Sequence, residues 1–173
     1  PKYNGKIENQ NLHSILSAEM LIVCHANFST AAERLAQLHR DQDNMIVEVV
    51  TVDKVYNEFG SGGQDISSIR DFTRMVYERG IGTNNELKYL LLFGDASYDY
   101  RDRLTNNNNY IPIWQDPSNP YSLYNSSVTD DFYGMLGSNE GSNLGSNDIE
   151  IGIGRIPCES LGQAESYVDK IVH

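Results

Sequence analysis

Cysteine is scarce in this chain, with two residues, Cys24 and Cys158, among 173. That excludes a disulfide framework, and the wide separation of the pair excludes a zinc knuckle. No apolar run approaches the ~20 residues that a membrane-spanning helix needs, so no direct membrane insertion of this segment is expected. Basic residues are few as well: 13 Lys plus Arg stand against 24 Asp plus Glu, a formal charge of −11. Such a surface repels phosphate backbones and anionic bilayers, and nucleic acid is set aside as a partner. The first residues, Pro1-Lys2-Tyr3-Asn4-Gly5, lack the charged and apolar regions of a signal peptide. The last, Tyr167 to His173, stop inside a helical pattern, so a piece of a longer chain is expected.

What is present is an alternation of apolar runs and amphipathic stretches. Glu19 to Cys24, Met45 to Val52 and Lys88 to Phe93 have the length and branching of strands buried on both faces. A fourth strand alternates from Asp148 and closes at Arg155-Ile156-Pro157. Between the first two lies a helix to about Asp41, with Thr30 and Glu33 at capping-box spacing. A second helix opens at Asp65 and carries Ile66, Ile69, Phe72 and Val76 on one face; a third begins at Ser160 and Gln163. Residues 96–129 form a long loop insertion holding Asn106 to Asn109, three prolines and five tyrosines. The fold class is therefore α/β, an open sandwich with a mostly parallel sheet of about four strands flanked by helices.

In such sheets ligands sit beyond the carboxyl ends of the strands. Cys24 beside His25 suggests a thiolate and its base, but neighbours on a strand point to opposite faces, so a core cysteine and a loop histidine are expected instead. Asp95, Asp99 and Asp102 gather carboxylates after the third strand. They are weak candidates for calcium, with Arg101 and Arg103 as alternative partners. Asp130 and Asp131 form a second acidic pair, read as caps of turn amides. Trp114 and the tyrosines of the insertion build either a sugar or peptide surface or the loop's own small core. Gly60-Ser61-Gly62-Gly63 follows no strand and precedes no Lys-Ser or Lys-Thr, so it is not a phosphate loop. Composition and spacing name no function.

Five segments in order carry a resemblance. They are Val55 to Phe59 with the Gly-rich run and Asp65; Ile69-Arg70-Asp71-Phe72; Tyr89 to Asp99; Val128-Thr129-Asp130-Asp131-Phe132-Tyr133-Gly134; and Ile151 to Pro157 with Glu165 to Ile171 behind it. From about Glu19 onward the chain resembles the gingipain family of cysteine peptidases, and within it the PorU-type sortases of type IX secretion. The resemblance implies a caspase-like fold of two subdomains, with residues 1–173 as the first. It places the catalytic cysteine and histidine in the second, so no catalytic residue falls in this chain, and Asp95, Asp99, Asp130 and Asp131 become loop or cleft-supporting residues. It implies a surface enzyme of the Gram-negative outer membrane that removes C-terminal sorting domains from secreted cargo and passes the new end to a lipopolysaccharide. Its partners would be the second subdomain, cargo carrying sorting domains and type IX secretion components. No cofactor is required on this reading. Two alternatives stay open: a stand-alone calcium-dependent peptide- or glycan-binding module, and a flavodoxin- or receiver-like domain.

Overall fold

The computed structural model describes residues 9–101, 103–116, 127–141 and 147–172. Strands β1 (Met20–Cys24), β2 (Val47–Thr51), β3 (Tyr89–Phe93) and β6 (Gly152–Ile156) form a parallel sheet in the order β2-β1-β3-β6. Between β3 and β6, within the insertion, β4 (Trp114–Gln115) and β5 (Val128–Thr129) pair antiparallel. The helices are α1 (Ser29–Gln42), α2 (Val52–Phe59), α3 (Ile66–Gly80) and α4 (Leu161–Val172).

Two-residue periodicity divides the core into two layers. On β1, Leu21 and Val23 point into a cluster with Ile69, Phe72 and Val76 of α3, while Met20, Ile22 and Cys24 point into a cluster with Ala31, Leu35, Ala164 and Val168 of α1 and α4. All five β1 residues are buried, which is why this strand reads as continuously apolar. The insertion adds Ile111 and Trp114 to the α2/α3 layer, and the segment after β5 adds Phe132, Tyr133 and Leu136. Trp114 stacks on Phe132 at 6.4 Å between ring centres, so this aromatic belongs to a core and not to an open sugar surface.

Three local expectations are corrected. Val52 does not end a strand but begins α2, whose Val52, Val55 and Tyr56 are buried on one side. Thr30 and Glu33 form no capping box: α1 starts at Ser29, continuing a 3-10 turn (Ala26–Phe28) that already orders its first amides, and Phe28 at the cap offers no side-chain acceptor. The fourth strand is shorter than the alternation suggested, because the Glu150 amide donates to Gly134 C=O and its carboxylate accepts from Leu136 N–H, tying this approach to the segment after β5. Asp65 does cap α3, accepting from Ser67 N–H at 2.9 Å. At α4, Ser160 Oγ accepts from Gln163 N–H while the Gln163 amide oxygen accepts from Glu159 N–H.

Candidate functional site

The strand order reverses between β1 and β3, and the crevice beyond their carboxyl ends is where a doubly wound sheet binds its ligand. Here the chain fills that crevice itself. Gly94, at φ +149°, turns out of β3 so closely under the insertion that a Cβ there would lie 3.0 Å from Tyr110 Cβ and 3.1 Å from Ile111 Cγ1. The Asp95 carbonyl accepts from both Tyr110 and Ile111 N–H, and the Asp95 N–H donates to Cys158 C=O. The Tyr110 hydroxyl donates to Glu159 C=O, and its ring meets His25 and Phe28 edge-on at 4.8 and 4.9 Å. A flavin or phosphoryl group would have to displace this plug, which weighs against the flavodoxin- or receiver-like alternative.

Cys24 ends β1 and is fully buried; so is Cys158, just beyond β6. Burial in apolar surroundings pushes the Cys24 thiol up to about 12 and Cys158 to about 11. Both are protonated at neutral pH and are poor nucleophiles. His25 is committed elsewhere: its Nδ1 accepts the Asn27 N–H at 3.2 Å, capping the 3-10 turn, and burial lowers its pKa, opposed by the Asp53 carboxylate. Adjacent in sequence, Cys24 and His25 thus share no proton path.

The strongest polar centre lies one layer away, on Arg155, which sequence reasoning treated only as the close of a strand. Its guanidinium grips both oxygens of Asp130, Nε to Oδ2 at 2.8 Å and Nη2 to Oδ1 at 2.7 Å. The same group donates to the carbonyls of Gly94, Ile111 and Pro112. The Tyr133 hydroxyl also donates to Pro112 C=O, at 2.6 Å. With 11% and 19% of their side chains accessible, Arg155 and Asp130 form a largely desolvated fork-to-fork pair. They staple the two ends of the insertion to the sheet. The expected cap role of Asp130 is therefore replaced by an ion pair, because a lone arginine entering an apolar layer needs an anion. Asp131 points to solvent, and its N–H donates to Thr129 Oγ1. One signal was available: Arg155 shares strand parity with the core residue Ile153.

The acidic run after β3 is arranged around backbone amides. Asp99 Oδ2 accepts from Arg103 and Leu104 N–H at 2.6 and 2.7 Å, so Arg103 meets Asp99 through its main chain. Arg101 lies over the Tyr100 ring at 5.3 Å. Asp102 lies outside the described residues. Among the described residues no three His, Cys, Asp or Glu side chains converge as cation ligands would. Nor is any described helix long and apolar enough to cross a membrane.

A model of peptidase family C25 matches residues 14–173. No curated protein matches. Among solved structures, the crystal structure of dimeric latent PorU from Porphyromonas gingivalis superposes with a TM-score of 0.82 at 29% identity, over 98% of this chain and 16% of that one. The chain therefore spans about one sixth of the length of the PorU chain it resembles. With the family model running from before β1 through α4, and the parallel sheet shared with a PorU structure, the chain belongs to peptidase family C25, the family of the gingipains.

Proposed function

We propose that this chain is the N-terminal subdomain of the catalytic domain of a cysteine peptidase, a scaffold lobe without a catalytic dyad of its own. The observation that carries this is the condition of its nucleophiles: both thiols are buried and protonated, and the neighbouring imidazole is spent on a turn amide. The lobe's contribution is rigid support, a sheet whose carboxyl end is sealed by Tyr110 and Ile111 and locked through Arg155. The chemistry, thiolate attack on a peptide carbonyl with a histidine moving the proton, would be supplied by a second subdomain. Extending the PorU likeness, the parent acts at the Gram-negative cell surface with type IX secretion components. It excises C-terminal sorting domains from cargo and transfers the new terminus to lipopolysaccharide.

Treatment of this chain and of its full-length parent with a peptidyl thiol electrophile tests the division of labour. The parent should be labelled stoichiometrically at a cysteine outside residues 1–173, and this chain should stay unlabelled. Labelling at Cys24 or Cys158 of the folded chain would overturn it. Loss of lipopolysaccharide-linked cargo on deletion of the parent tests the sortase assignment; unchanged cargo would leave a peptidase of another substrate class.

A further inference from the structure

The two edges of the sheet are finished differently. At β2 the Arg40 guanidinium donates to Val47 C=O from Nε at 3.2 Å and from Nη2 at 2.7 Å, so a side chain stands where a neighbouring strand would pair. At β6 the ladder to β3 uses the even-numbered residues: Gly152 N–H donates to Lys88 C=O, and Ile156 C=O accepts from Gly94 N–H. The main-chain N–H and C=O groups of Ile153 and Arg155 therefore point away from β3, and among the described residues they meet no partner. β6 also lacks the devices that blunt an exposed edge. Its register with β3 runs without a bulge, it holds no lysine or proline, and its charged side chain, Arg155, is already neutralised by Asp130. On the α1/α4 side, Gly152 and Gly154 line a groove of about 650 Å³ together with Tyr89 and Leu91. A Cβ at Gly154 would come no nearer than 3.8 Å to Leu91 Cδ1, so nothing inside this lobe requires glycine there. Glycine within a strand weakens it and marks a place where another backbone approaches closely.

We propose that the outer edge of β6 takes a β-strand from the second subdomain of the parent, extending this sheet and joining the two lobes through main-chain hydrogen bonds. The inference rests on the reading of this chain as one lobe of a larger enzyme, and it names the surface through which that lobe is held. The length of chain outside the lobe favours this occupant, since the PorU chain matched above is about six times as long. A strand within the same polypeptide is presented at the high effective concentration that a tether gives. A second copy of this chain is opposed by charge, because pairing β6 edge to edge would bring together two bodies each of formal charge −11. A transient peptide would need side-chain pockets beside the edge to be read, and Gly152 and Gly154 present bare backbone instead. Backbone is all that a permanently tethered strand needs, and Tyr89 and Ile149, each 49% exposed near the start of β6, supply apolar surface of the kind that lasting interfaces bury.

Amide hydrogen exchange, read residue by residue in the full-length parent, tests this. There the Ile153 and Arg155 amides should exchange about as slowly as that of Gly154, which β3 already holds. In this chain alone the same two amides should exchange about a hundredfold faster or more, with Gly154 still protected. The parent decides the point by itself: Ile153 and Arg155 amides that exchange there about a hundredfold faster than Gly154 would overturn the proposal. So would protection that grows with protein concentration in either sample, since a second copy would then be the occupant. This measurement and the thiol labelling fail separately. Unprotected amides leave the labelling result intact, whereas labelling at Cys24 or Cys158 would remove the scaffold-lobe reading whatever pairs with β6.

Discussion

His25 is held neutral by burial, and that makes it a pH sensor of fold stability although it has no part in chemistry. Its native pKa lies below the ordinary 6.5, so the unfolded chain binds a proton that the native chain refuses. Above that value both states are neutral and His25 contributes no slope. As pH falls from about 6.5 toward the lower native value, stability should decline. Replacement by asparagine, whose Oδ1 can accept the Asn27 N–H in place of Nδ1, should flatten the fall of urea midpoints as pH drops below about 6.5, relative to the parent sequence. A slope that survives His25→Asn would show that another group is responsible. The fate of Cys24 was legible in the sequence because an apolar run with a terminal cysteine is a pattern of burial. The use of the His25 ring was not, since a turn amide two residues away leaves no spacing signature.

At the scale of elements, one side chain from β6, Arg155, holds the insertion and its flanks to the sheet through its contacts with Asp130, Gly94, Ile111 and Pro112. Arg155→Met should leave the Asp130 carboxylate desolvated without a cation and remove the donor from three carbonyls. Breaking one side of a largely buried pair costs about 3–5 kcal/mol. Chemical denaturation should show a loss of that order, and adding Asp130→Asn should recover part of it. A loss below about 1 kcal/mol would mean that solvent reaches the pair as it does on a surface. The same element scale shows where periodicity sufficed and where it failed. β1, β3 and α3 were readable because each presents one unbroken pattern to the core. α2 was hidden because its Val52 follows directly on a β-branched strand, so the change of period from 2 to 3.6 falls between Thr51 and Val52 with no turn residue to mark it. The plug of the crevice by Tyr110 and Ile111 was not readable at all: Asp95 receives their amides across more than ten residues of insertion, a tertiary fact with no local pattern.

For the whole molecule, two electrostatic effects oppose one another as salt is raised. Ion pairs such as Arg34 with Glu165 and Asp169, Arg74 with Glu78, and Lys88 with Glu19 join partly exposed groups. Pairs of this kind contribute about 0–1 kcal/mol each and weaken with screening. Against them stands the excess of acidic over basic groups, 24 minus 13, which repels itself across the compact state and relaxes when the chain expands. Screening relieves that repulsion over the whole surface, since the Debye length falls from about 30 Å at 0.01 M to about 3 Å at 1 M salt. The pair holding the insertion is largely desolvated and loses little. The repulsive term should therefore dominate, and the melting temperature should rise between about 0.01 and 0.5 M sodium chloride at pH 7, by a few degrees. At a pH near 4.6, where the sequence is close to neutral, the same salt step should produce no such rise. A fall at pH 7 would mean that the surface pairs outweigh the net charge and that the acidic groups are organised as a network with the few cations available.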